Sequence, residues 1–179
     1  MPGLLEVGYL KPARVVKENT WYELLTSGFL HANLGHLFVN MFTLYFFGSV
    51  MENVLGPVHF GILYLTGLIV AGIPSVIKFK DNENYATLGA SGAVGSVLFS
   101  LLFFYFQWRI STCCLSRFPY RHLYFAILYL IYSMYESKQE RGKINHEAHL
   151  AGALMGNRLP GYFCAEHYRS LFNQCSAYW

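Results

Sequence analysis

The sequence predicts an all-α protein, a polytopic bundle of transmembrane helices with five apparent spans. Three observations predict it. The 179 residues carry only 13 Lys+Arg and 10 Asp+Glu, a charged fraction of 13%, about half the roughly 25% of an ordinary soluble domain. Apolar residues reach 54% and aromatics 18%, which excludes disorder and leaves too little polar surface to cover a water-soluble fold. The apolar residues are also gathered into stretches of about 20, the length of a bilayer-spanning helix.

In chain order, residues 1–19 form a polar N-terminal segment without an apolar core of signal-peptide type. The first span is expected over 34–54, which is mostly apolar but holds His36, Asn40 and Glu52. A tight turn at 53–57 (NVLGP) leads to the second span, 58–77, which has no charge. The charged loop 78–85 (KFKDNENY) precedes the third span, 86–108, also uncharged. A basic stretch at 109–122 contains Pro119 and leads to a fourth, shorter run at 123–135. A second charged loop, 136–143, precedes a fifth span at 146–164, where Arg158 and Pro160 interrupt the apolar pattern. Arg158 is read as snorkelling to the surface. The expected domain boundaries are a segment at 1–19, a membrane domain at 20–164 and a tail at 165–179.

The remaining composition is mainly exclusive. A formal net charge of +3, scattered along the chain, does not point to nucleic acid. Cys113, Cys114, Cys164 and Cys175 have neither CxxC spacing nor the pattern of a disulfide framework. They read as unpaired thiols, the adjacent pair open to adventitious oxidation. No cofactor or metal is implied.

Polar side chains within apolar spans are costly, so they mark candidate sites. His36 and Asn40 are spaced i, i+4 and share a helix face, where both can donate hydrogen bonds. Interhelical polar contact explains that pair equally well. Ser91 lies in Gly89-Ala90-Ser91-Gly92 at the head of an apolar run. There, free N–H groups and the helix dipole favour an oxyanion. Taken alone, the same residues read more simply as a small-residue packing surface. His146-Glu147-Ala148-His149 resembles a zincin signature but spaces its histidines i, i+3 rather than i, i+4, so that reading is rejected. A capping or interfacial histidine is the plain alternative for His149. Gly152 and Gly156 follow as a GxxxG face that admits a close partner helix. A serine, a histidine and two side-chain donors are the parts of a serine hydrolase. No acid lies obviously within the spans, so a Ser-His dyad is the economical arrangement.

Together these motifs resemble the rhomboid family of intramembrane serine proteases. HANLGHLFVNM at 31–41, GASG at 89–92 and HEAHLAGALMG at 146–156 stand in the family's order, at the heads of three apolar segments. The resemblance implies a rhomboid-like bundle in which Ser91 is the nucleophile and His149 the general base. His36, Asn40 and the Ser91 backbone N–H would form the oxyanion hole. Gly89 and Gly92 would shape the serine loop, and Gly152 and Gly156 would pack the last helix against the serine helix. His31 and His146 would line a water-accessible cavity. Implied partners are the lipid bilayer and membrane-protein substrates whose spanning helices unwind near small residues. A multi-pass protein of a bacterial plasma membrane is expected, with no oligomeric state assigned.

Some stretches depart from the family pattern. The resemblance begins near Thr20, so the first of the family's six helices, with most of its following loop, is expected to be missing. Glu23 follows Trp21 and Tyr22 where the family often has an aromatic-Arg pair. Alternate segments hold 8 and 5 of the 13 Lys+Arg, and the richer group is the one the family places outside; motif order is followed over charge. The alternative is an inactive pseudoprotease, or a truncated chain, that binds client transmembrane helices. A redox carrier with His36 and His149 as haem ligands leaves Ser91, its glycines and Asn40 unexplained.

Overall fold

A computed structural model describes residues 8–112, 124, 127–129 and 131–132. Within them the chain is helical, apart from turns and one antiparallel bridge. Helix α1 spans Pro12–Glu18 and α2 spans Glu23–Thr26, which continues into a 3-10 turn at Ser27–Phe29. Helix α3 spans Leu34–Leu55, α4 Pro57–Phe79 and α5 Ser91–Thr112.

The N-terminal residues are packed onto the bundle. Pro12 starts α1 with its φ already helical, and Asn19 at φ 58° ends it in a left-handed cap. Leu10 and Val15 join Leu24 and Val76 in one apolar cluster. The Leu10 and Thr87 backbones exchange two hydrogen bonds of 3.0 Å, tying this segment to the loop before α5. Glu23 is fully buried in the same region. Its carboxylate accepts from Arg14 Nε at 2.5 Å and from the Lys11 amide at 2.9 Å. A buried carboxylate needs such partners, because leaving it unpaired would cost several kcal/mol.

Helices α3 and α4 are each long and apolar enough to cross a bilayer, by length and composition. Asn33 caps α3 through its side chain. Midway, Leu44–Gly48 forms a π-helical turn before α-geometry resumes at Ser49–Leu55. At the α3–α4 corner, Gly56 adopts φ 77° and Pro57 opens the next helix, so residue types match turn geometry at both positions. Along α4, Leu63, Gly67, Ala71, Ser75 and Phe79 recur every four residues as a buried stripe. Val58, Ile62, Leu65, Ile73 and Ile77 are exposed, as suits a lipid-facing surface.

Helix α5 is buried on nearly every side from Gly92 to Leu98, which makes it the centre of the described bundle. Small residues set its approach to α4. A methyl group on Gly67 would overlap Ser96, and one on Gly92 would overlap Ala71. Apolar helices gain little from leaving lipid for one another, so contact this close favours their association. Farther along, Phe47, Met51 and Leu55 of α3 meet Leu63, Val94, Val97, Leu98 and Leu101 in the main core.

The boundaries differ from expectation at one place that matters. The apolar run suggested a span from residue 86, but α5 begins at Ser91. Residues 86–90 are instead held in an extended loop. Thr87 is bridged to Leu10, the Gly89 amide donates to the Ser27 carbonyl at 2.9 Å, and Gly89 has φ 117°, incompatible with a right-handed helix. Of the five expected spans, three fall on described helices. The fourth contributes helical residues at Tyr124, 127–129 and 131–132, and the fifth, 146–164, lies outside the described residues.

Candidate active site

The site is built around the first turn of α5. Ala90 caps that helix, its carbonyl accepting from the Val94 amide at 2.9 Å, so Ser91 is the first helical residue. The leading N–H groups of a helix have no intrahelical acceptor, and they carry the positive end of its dipole. Ser91 is half-buried, whereas the following residues are buried.

Helix α3 brings two polar side chains to the same place. The Asn33 side chain accepts from the His36 amide at 2.7 Å, fixing the turn that carries His36. His36 and Asn40 are 7% and 1% exposed, so both have left water. His36 lies against the serine loop: a methyl group on Gly89 would sit 2.7 Å from its Cε1 and 3.1 Å from its Nε2. Only a glycine lets the imidazole approach so closely. Asn40 donates from Nδ2 to the His36 carbonyl at 2.9 Å, while its Oδ1 lies 3.1 Å from the Tyr129 hydroxyl. The same hydroxyl lies 3.2 Å from the Ser91 carbonyl.

His31 precedes α3 and presents its ring edge to His36, with centroids 5.2 Å apart and planes at 74°. Its Nε2 is buried without a hydrogen-bond partner among the described residues. Burial holds the imidazole below the usual histidine range, and a hydrogen bond with the Phe29 backbone partly offsets this. A neutral His31 therefore faces His36 at neutral pH.

Of the residues singled out in the sequence, Ser91, His36, Asn40, His31 and Gly89 converge here. Gly92 lies one residue beyond the serine and packs against Ala71 of α4. His146, His149, Gly152 and Gly156 lie outside the described residues. Sequence reasoning overlooked Tyr129 and Asn33. Asn33 carried a signal, being a good N-cap residue immediately before a helical apolar run. Tyr129 carried a weaker one, a hydroxyl in an apolar stretch that needs a partner when buried.

In chemical terms, the arrangement places a serine at a helix N-terminus, with an imidazole against its loop glycine and a carboxamide linked to its carbonyl through the Tyr129 hydroxyl. Such donors stabilise negative charge developing on an oxygen bound next to the serine. No group of three or more His, Cys, Asp or Glu suited to a metal ion occurs among the described residues.

Comparison with known proteins gives a consistent result. A family model described as a rhomboid domain matches residues 18–166. RHOMBOID-like protein 11, chloroplastic, of Arabidopsis thaliana is 33% identical over 146 residues, covering 76% of this chain and 50% of the relative. Presenilin-associated rhomboid-like protein, mitochondrial, of Bos taurus is 32% identical over 136 residues, covering 74% of this chain and 36% of the relative. RHOMBOID-like protein 4 of Arabidopsis thaliana is 36% identical over 99 residues, covering 55% of this chain and 24% of the relative. The chain thus spans half or less of the length of these curated relatives. No solved structure matches.

Proposed function

The chain belongs to the rhomboid family of membrane proteins, and on that premise we propose that it is an intramembrane serine endopeptidase acting on transmembrane helices of membrane-protein substrates. Ser91 is the nucleophile and His149 the general base that takes its proton. His36, Asn40 and the Ser91 amide hold the oxyanion of the tetrahedral intermediate. Gly152 and Gly156 pack the last of five spans against α5, bringing His149 to Ser91, and His146 joins His31 in lining the cavity beside them.

The observation that carries this reading is the approach of α3 to the start of α5, where buried His36 lies against Gly89 and buried Asn40 is linked to the Ser91 carbonyl through the Tyr129 hydroxyl. Small-residue packing accounts for Gly67, Ala71, Gly92 and Ser96 of the α4–α5 contact. It does not account for an imidazole set against the one loop glycine with φ 117°. Nor does it explain two polar side chains removed from water next to a serine. A substrate peptide bond inside a helix is shielded by its own hydrogen bonds. Cleavage therefore requires the substrate helix to unwind beside these donors.

The test is labelling of the detergent-purified full chain with a fluorophosphonate probe, which forms a tetrahedral adduct on an activated serine. Wild-type protein is expected to label, while Ser91→Ala and His149→Ala are not. Labelling that survives Ser91→Ala would identify a different nucleophile. A folded wild-type chain that never labels would instead support a non-catalytic binder of membrane helices.

A further inference from the structure

We infer that Tyr129 is a positioning residue for the oxyanion site, holding the Asn40 carboxamide in the one orientation that turns an N–H towards Ser91. The inference rests on the protease reading above.

The chemistry of the carboxamide makes orientation the central issue. A side-chain amide has one oxygen that accepts and one nitrogen that donates twice. Rotating it by half a turn exchanges the two with almost no change in shape. In the wrong orientation Asn40 would present an oxygen to a developing oxyanion, converting attraction into repulsion. The helix supplies a partial constraint, because one Nδ2 hydrogen donates to the His36 carbonyl at 2.9 Å. An i to i−4 bond of this kind is local and readily exchanged.

Tyr129 supplies the other constraint. Its hydroxyl carries a single proton, 3.1 Å from Asn40 Oδ1 and 3.2 Å from the Ser91 carbonyl. Both neighbours are oxygens that accept, so the phenol donates to one or is shared between them. An amide nitrogen in place of Oδ1 would set Oδ1 against the His36 carbonyl, acceptor against acceptor, and would meet the phenol only by committing its proton to the Ser91 carbonyl. With Oδ1 held by Tyr129 and one Nδ2 hydrogen held by the His36 carbonyl, the second Nδ2 hydrogen remains for the oxyanion. The site excludes competing water at this point: Asn40 is 1% exposed and Tyr129 3%.

The phenol is itself held in place. Tyr129 belongs to the main core, and Tyr132 lies one helical turn further on. The Tyr132 hydroxyl would lie 3.7 Å from a methyl group on Gly35, in the first turn of α3. This stretch of the fourth apolar run therefore lies along α3 in the opposite direction. Tyr129 thus links three elements at one atom: the α3 side chain, the α5 carbonyl and its own helical segment.

The experiment uses the full chain in detergent and measures fluorophosphonate labelling against probe concentration. This separates the maximal labelling rate from the half-saturating concentration. Tyr129→Phe keeps the ring and removes the hydroxyl. Its maximal rate is expected to fall about tenfold, with half-saturation within about twofold, because the lost contact orients a donor that acts in the transition state. The same substitution in an Asn40→Ala background is expected to cost nothing further. Equal losses in both backgrounds would overturn the inference, since Tyr129 would then act on the fold and not through Asn40. An unchanged labelling rate in Tyr129→Phe would overturn it as well. Wild-type protein without Ser91-dependent labelling would defeat the protease reading, and this inference with it. Labelling of wild type that is insensitive to Tyr129 defeats only the inference.

Discussion

Replacing Gly89 with alanine tests the site at its tightest point. The position carries two separate demands. Its φ of 117° is a conformation that L-residues avoid. The loop cannot easily rotate away, because the Gly89 amide is bonded to Ser27 and nearby Thr87 is bridged to Leu10. Forcing an alanine into such a conformation costs about 1–3 kcal/mol. The added methyl would also lie 2.7 Å from His36 Cε1. Carbon atoms pack at about 3.5–4.0 Å, so the imidazole must retreat by roughly 1 Å. A displacement of roughly that size typically lowers an enzymatic rate by about 10²-fold, equivalent to about 2.7 kcal/mol of lost transition-state stabilisation. Thermal unfolding in detergent reads the first cost, and the maximal fluorophosphonate labelling rate reads the second. Gly61→Ala is the control, since among the described residues nothing lies within 4 Å of a methyl group placed there. On propensity alone that helix should gain up to about 1 kcal/mol. If Gly89→Ala labels as fast as wild type, His36 is not the group whose placement limits the reaction.

Three further outcomes follow from the packing. Glu23→Gln removes the charge that pairs with Arg14, and stability should fall by about 1–3 kcal/mol, the lower range for such pairs because the Arg14 side chain is 21% exposed; additive losses in a double-mutant cycle with Arg14→Met would refute the coupling. Gly67→Leu drives a side chain into Ser96 at the α4–α5 contact and should cost about 1–3 kcal/mol by overpacking; a wild-type unfolding temperature would refute it. His31 is held below its usual range by burial, so the unfolded chain binds its proton first as pH falls. The associated stability is complete above the ordinary histidine range and declines through it. His31→Gln should flatten the loss of thermal stability between about pH 7 and about pH 5, and equal slopes in the two proteins would refute the assignment.

The fold is most legible in the sequence where composition alone decides structure. Two uncharged or nearly uncharged runs became α3 and α4 with ends shifted by at most two residues, and Gly56-Pro57 marked their corner. It is less legible where distant residues decide. Residues 86–90 are as apolar as a helix start, yet a backbone bridge from Leu10 holds them extended. That pairing joins positions far apart in the chain and leaves no periodic trace. The polar segment 1–19 likewise hid a short helix whose Val15 is fully buried. At the site, the i, i+4 spacing of His36 and Asn40 and the glycines about Ser91 were legible because local geometry requires them. Tyr129 was not, since a phenol's value depends on which acceptors tertiary packing brings to it.

The π turn in α3 has a consequence for the helix's rotational phase. An ideal α-helix advances about 100° per residue, so Leu55 would stand about a quarter-turn away from His36 around an unbroken cylinder. A π turn takes up one extra residue with little added rotation. Placed at Leu44–Gly48, it winds the second half back, so Met51 and Leu55 face the core on the side that carries His36 and Asn40. The helix therefore contains its own phase corrector. Shortening it by one residue within that turn would relax it to α-geometry with both halves still aligned. The same deletion between His36 and Asn40 would swing one of the two donors out of the site.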